Sequence, residues 1–237
     1  ILPKQAAVCV IGGGVAGVST ALELQERGLD VVLLEKGEIA AEQSSRNWGW
    51  VRQMGRDPRE IPLIRIAMQK WEGMNARIGA ETGFTRCGII YLCETEEQLE
   101  TRRRWFEDNA KPFGLSSHMV GAKEANELQP GCTRPWKGAL YTPDDARAEP
   151  FIAVPAMAEG FRKKGGKFFT NCAVRGLETK AGRISAVVTE KGTIACDTVV
   201  LAGGAWSRRF CHNIGIKLPQ LTVVNSVMRT EPLDIGL

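Results

Sequence analysis

The sequence predicts an α/β fold: a parallel strand–helix–strand unit built on a glycine-rich turn. Three observations lead there. Val8–Ile11 is a continuous apolar run that ends on glycines, as a buried parallel strand does. From Val15, apolar residues recur at 15, 18, 21, 22 and 24, a helical period, with Glu23, Gln25, Glu26 and Arg27 facing away. Gly28 stops that helix, and a second apolar run, Val31–Leu34, delivers Glu35. The three pieces make one strand–helix–strand unit.

Composition narrows the setting. A chain of 237 residues makes one large domain or two small ones. With 43% hydrophobic and 24% charged residues it is not a disordered chain. No apolar run approaches the ~18 residues a membrane helix needs, so no membrane span is expected. The net charge of +4 is spread along the chain, which argues against a nucleic-acid surface. Its densest piece, Arg102, Arg103 and Arg104, sits among Glu96, Glu97, Glu100, Glu107 and Asp108 and reads as a solvated helix face. Seven cysteines with no C-x-x-C point to reduced, cytoplasmic usage and away from zinc or dithiol chemistry. The start, ILPKQAAVCV, shows no signal peptide, and its first residue, Ile rather than Met, suggests residues missing upstream.

Gly12, Gly14 and Gly17 form a G-x-G-x-x-G turn into the helix that opens with Val15 and Ala16. With 26 glycines in the chain, about 0.3 copies of the bare pattern arise by chance. Placement gives it meaning: a strand precedes it, a helix follows, and Glu35 lies 18 positions beyond Gly17. Gly12 permits the tight turn, Gly14 lets backbone approach a pyrophosphate, and Gly17 lets helix and strand pack closely. The helix N-terminus offers N–H groups and a positive dipole end to phosphates. Glu35 can accept from ribose hydroxyls, and Lys36 follows it at the same edge. These features predict dinucleotide binding.

Residues 37–60 contain no apolar run and no alternating strand, so the third strand of an NAD domain is missing. This loop-like segment can instead run back along the cofactor. Its stretch SSRNWGWVRQ, with VVLAGGAWS at 199–207, resembles the D-amino-acid oxidase superfamily of FAD-dependent oxidoreductases, which includes glycine and sarcosine oxidases and D-amino acid dehydrogenases. The resemblance extends over ALYTPDDARAEPF at 139–151 and residues 171–207, nearly the whole chain. It implies an FAD/NAD(P)-binding Rossmann-like three-layer domain with an inserted antiparallel-sheet substrate domain, and FAD as cofactor. Carried over by position, it puts Ser44, Ser45, Arg46, Asn47, Trp48 and Gly49 along the pyrophosphate and flavin ring. It puts the Val174 backbone at the adenine, and Ala202, Gly203, Gly204, Ala205 and Trp206 in a loop beside the cofactor. Thr198–Ala202 agrees as a short buried strand ending in two glycines.

Elsewhere, Phe84–Leu92 reads as a strand, 94–110 as a charged amphipathic helix, and Lys123–Leu128 as a short helix closed by Pro130. Pro150–Lys164 returns to helical spacing. Strand-like runs follow at Lys167–Phe169, Ile184–Glu190, Thr198–Leu201 and Leu221–Arg229. The expected division is an FAD-binding domain of residues 1–82 and 143–216, and a partial substrate domain of 83–142 and 217–237. The resemblance implies a C-terminally incomplete chain, expected to be inactive alone and to expose an unpaired edge.

Amine oxidation by a flavin asks the protein for position and electrostatics rather than a dedicated base, so no catalytic acid or base is assigned, and no metal. His118 and His212, the two histidines, read as surface residues. Arg52 could face the flavin or a substrate carboxylate, though pairing with Asp57 or Glu60 is the simpler reading. Trp48 and Trp50 alternate in a loop, so one can line the cofactor while the other packs as core. Asp144 and Asp145, beside Pro143, read as a turn. The resemblance implies oxidation of the C–N bond of a small amino acid or secondary amine. Oxidation of a 2-hydroxy acid, or a non-catalytic FAD-binding subunit of a heteromer, stand as alternatives; a homo- or hetero-oligomer is compatible with each.

Overall fold

The computed structural model describes residues 1–132, 134–228 and 231. The chain divides into two compact units: residues 1–48, 74–82 and 149–227 form the first, and 49–73 with 83–148 make up the second.

The first unit is built on a four-stranded parallel sheet, in the order Thr198–Leu201, Val8–Ile11, Val31–Leu34, Lys167–Phe169. The register is uniform: Val8 pairs with Thr198 and Val31, and Ile11 with Leu201 and Leu34. The exits of the three strands therefore lie abreast, which brings the glycine turn, Glu35 and Ala202 to one edge. Every residue of the two inner apolar strands is buried, because both faces of the sheet are covered. Helices Val15–Glu26 and Pro150–Lys163 pack on each other and on the sheet. On the other side, Cys9, Val32 and Leu34 join Cys172, Val187 and Ile194 in one cluster. That cluster seats an antiparallel sheet of Val174–Lys180, Arg183–Thr189 and Gly192–Ala195. The result is the expected three layers. Burial and the neighbouring Cys196 push the Cys9 thiol up to about 12, so it acts as a small hydrophobe. Arg77, on the helix Met74–Ile78, bonds Glu23 at 2.9 Å and also Glu26, tying 74–82 to this unit.

The second unit holds two three-stranded antiparallel sheets. One has the order Trp50–Val51, Ala146–Arg147, Thr85–Arg86, the other Ile89–Cys93, Gly138–Thr142, His118–Gly121. Helix Glu96–Trp105 starts at a capping box between Thr95 and Gln98 and runs on as a π-helical turn, Phe106–Ala110. The strand expected over Phe84–Leu92 is two strands. Gly88, at φ +69°, turns between them and donates its N–H to the Asp145 carbonyl at 2.9 Å.

Three expected boundaries move. Residues 49–73 and 143–148 pack in the second unit, and 217–227 in the first. Asp145 is the cause of the first two shifts. Its fully buried carboxylate accepts the N–H groups of Gln53 at 2.7 Å and Met54 at 3.1 Å. Gln220 causes the third: its Nε2 donates to the Gly204 carbonyl at 3.0 Å and its Oε1 accepts the Arg208 N–H at 3.1 Å. Leu221–Met228 is not a strand, and Arg229 lies outside the described residues.

Burial raises the Asp145 carboxyl above the usual range, against the pull of the two N–H groups and Arg52. The folded state thus holds that proton more tightly than the unfolded chain, and the group's contribution to stability falls as pH rises through its folded pKa. Asp145→Ala leaves two backbone donors unpaired and should cost about 2–4 kcal/mol in denaturant unfolding, with Asp145→Asn costing less. Equal stability of Asp145→Ala and the parent would contradict this role.

Candidate functional site

Backbone contacts at the strand exits shape the site. The Gly12 N–H donates to the Leu34 carbonyl at 2.8 Å, and its φ of +111° turns the chain away from the sheet. A Cβ on Gly12 would lie 2.4 Å from the Ala202 carbonyl oxygen, and one on Gly17 would lie 1.9 Å from that of Gly12. Neither position admits a side chain, so the helix sits directly on the turn. Gly14 leads into the helix with no side-chain cap of its own. The hydroxyl of Ser44 accepts the Val15 N–H at 2.8 Å instead, bringing the 38–48 loop to the helix N-terminus.

Glu35 closes the turn from the neighbouring strand. Its buried carboxylate accepts the Gly13 N–H through Oε2 and the Gly37 N–H through Oε1, both at 2.7 Å. Each oxygen keeps a further lone pair for a hydroxyl donor. Beside it, Lys36 Nζ bonds Glu42 Oε1 at 2.6 Å and lies 4.2 Å from the Trp206 ring centroid.

A cavity of about 1220 Å³ opens here, wholly within the first unit. Gly12, Gly14, Val15 and Ala16 line it at the helix end, and Glu35, Lys36 and Ser44 along one flank. Val174 lines it from the antiparallel sheet, and Ala202, Gly203, Gly204, Ala205 and Trp206 from the last strand's exit. A positive helix end, a glycine turn that lets backbone come close, and a carboxylate at the adjacent strand exit fit a dinucleotide.

Six expected site residues lie off the cavity wall. Gly17 is behind it, packed on Gly12. Ser45 donates to the Glu42 carbonyl at 3.2 Å, and Arg46 pairs with the Glu42 carboxylate at 3.3 Å. Asn47 Nδ2 bonds the carbonyls of Gln43 and Ser44 at 2.9 and 3.0 Å. Trp48 is 67% exposed, and Gly49 belongs to the second unit, its carbonyl accepting the Ala148 N–H. Arg52 does not pair with Asp57 or Glu60. It bonds the Met54 carbonyl and lies 5.1 Å from the Trp50 ring and 5.6 Å from that of Tyr91, with burial lowering its pKa. Asp57 pairs with Arg59 at 2.7 Å and Glu60 with Arg56. His118 and His212 are exposed, as expected.

Sequence reasoning missed Gly13, Glu42 and the stretch 218–223, which also lines the cavity. The triple glycine run was the available signal for Gly13. Nothing in the sequence marked Glu42. Among the described residues no group of His, Cys, Asp and Glu could hold a metal ion, and no helix is long and apolar enough to cross a membrane.

Because Glu35 holds the turn as well as facing the cavity, Glu35→Ala should show two losses. Apo-protein stability should fall by about 1–3 kcal/mol from the stranded N–H groups, and dinucleotide affinity about ten- to a hundredfold. Calorimetric unfolding and titration measure the two separately, and a loss of affinity alone would deny Glu35 its hold on the turn.

The sequence matches the family described as FAD dependent oxidoreductase (DAO) over residues 7–236. The structure is similar to L-amino acid deaminase from Proteus vulgaris, with a TM-score of 0.87 and 40% identity over 92% of this chain and 52% of that one. The mitochondrial pyruvate dehydrogenase phosphatase regulatory subunit of Mus musculus is 29% identical over 240 residues, 100% of this chain and 27% of that protein. Mitochondrial sarcosine dehydrogenase of Mus musculus is 26% identical over 241 residues, 98% of this chain and 26% of that protein. The chain thus spans about a quarter of these two curated relatives and about half of the deaminase. With the match covering both units and the glycine turn, the chain belongs to the DAO family of FAD dependent oxidoreductases, and the dinucleotide its cavity fits is FAD.

Proposed function

We propose that this chain is the FAD-binding part of an enzyme that oxidises the C–N bond of a small amino acid or secondary amine. The observation that carries the reading is the family match joined to a cavity lined by the glycine turn, Glu35 and Val174, a lining that supports a dinucleotide site. The names of two relatives, an L-amino acid deaminase and a sarcosine dehydrogenase, support an amino acid or N-substituted amino acid as substrate. FAD, when bound, supplies the hydride acceptor. The residues of this chain bind and orient: the helix N-terminus and Ser44 take the pyrophosphate, Glu35 the ribose, and the Val174 backbone the adenine. The loop Ser45, Arg46, Asn47, Trp48 and Gly49 runs toward the flavin. The seven free thiols support a reducing compartment such as the cytoplasm.

A second reading has its own support. The similarity to a phosphatase regulatory subunit spans the whole chain, which favours a non-catalytic FAD-binding subunit. Anaerobic addition of candidate substrates to the FAD-loaded full-length protein that carries this chain separates the two. Loss of the flavin's visible absorption with amino acids or sarcosine, and not with 2-hydroxy acids, is the expected result. Bleaching by 2-hydroxy acids alone overturns the C–N assignment, and bound FAD that no substrate reduces favours the regulatory reading.

The loop assignment has a separate test. Arg46→Ala and Asn47→Ala should lower FAD occupancy of the purified protein. Full occupancy in both variants would confine these side chains to their bonds with Glu42, Gln43 and Ser44.

A further inference from the structure

Lys36 and Trp206 follow different strands. Lys36 lies two residues beyond Val31–Leu34, and Trp206 five beyond Thr198–Leu201. These strands pair on opposite edges of Val8–Ile11, so their exits stand about 10 Å apart with the glycine turn between them. The Lys36 ammonium nevertheless lies 4.2 Å from the Trp206 ring centroid, and both residues line the cavity. The contact therefore crosses over the end of the central strand and the N-terminus of its helix.

The crossing is braced. Glu42 Oε1 holds Lys36 Nζ at 2.6 Å, while Glu42 Oε2 holds Arg46 at 3.3 Å, which fastens the 38–48 loop to the same point. One residue on, Gln43 reaches the opposite loop: a Cβ on Gly204 would lie 3.1 Å from Gln43 Oε1. Gln220 fixes Gly204 from the far side through its carbonyl. Two loops from strands on opposite sides of Val8–Ile11 thus meet at two neighbouring positions above the turn.

We propose that Lys36 and Trp206 form a clasp over the cofactor cavity, one that sets how fast FAD leaves. This rests on the cavity being the FAD site. A dinucleotide seated on the glycine turn lies beneath the contact, and its release requires the contact to open. Lys36 and Trp206 then act as a unit: once either is gone, removing the other adds nothing. Two independent cofactor contacts would behave differently, because their losses would multiply.

The test uses the FAD-loaded protein diluted into FAD-free buffer, with release followed by the rise of free-flavin fluorescence and apo melting temperature measured alongside. Lys36→Met and Trp206→Leu should each speed release by about three- to tenfold. The Lys36→Met/Trp206→Leu double variant should release no faster than the quicker single one. Trp206→Phe keeps a ring face and should release more slowly than Trp206→Leu, and Glu42→Gln should fall between the parent and Lys36→Met. Release at the parental rate in both single variants overturns the clasp, as does a double variant whose acceleration is the product of the two. A parent protein that retains no FAD overturns the assignment of the cavity itself, and does so before any variant is compared.

Discussion

The structure turns on two backbone approaches that only glycine allows. Gly17 lies against the carbonyl of Gly12, and Gly12 against the carbonyl of Ala202. The first seats the helix on the central strand, and the second draws in the exit of a strand nearly two hundred residues away in sequence. A methyl group at either point would push apart the elements whose ends form the cavity. Glu35 completes the arrangement from the third strand by spending its carboxylate on the N–H groups of Gly13 and Gly37. A residue that lines the cavity is thus also part of the frame.

Most of this centre was legible in the sequence because it is local. Val8–Ile11, the glycine turn, the helical period from Val15 and Glu35 fall within about thirty residues, where periodicity and glycine placement speak directly. Legibility faded where a long-range bond decides the outcome. Asp145 looked like half of a turn, and its turn is real. Its burial and its hold on Gln53 and Met54, about ninety residues away, carry no local sign. The strand Val174–Lys180 was also hidden, since VRGLETK has no clean alternation. It is specified by the tight turn at Ala181 and Gly182, both at positive φ, and by pairing with Arg183–Thr189. Leu221–Met228 shows the opposite failure: its apolar run has the composition of a strand, but composition does not supply a pairing partner.

The two units also differ in how they are held. The first is stitched by parallel strands buried on both faces, so most of its cohesion is apolar and spread over the sheet. The second depends on short antiparallel pairs, two of them only two residues long, gathered around one buried carboxylate. Loss of a single polar group is therefore felt far more sharply there.

The uniform register of the parallel sheet has a consequence for how such a chain can change length over time. Side chains alternate faces along a strand, so one residue added or removed within Val31–Leu34 would exchange the layers its residues serve and carry Glu35 away from Gly13. The same change within Thr198–Leu201 would withdraw Ala202 from Gly12. At the tip formed by Ala181 and Gly182, both exposed, extra residues would extend into solvent and leave the register untouched. Descendants of this chain are free to lengthen at such tips, while the three strands that end abreast must keep their count.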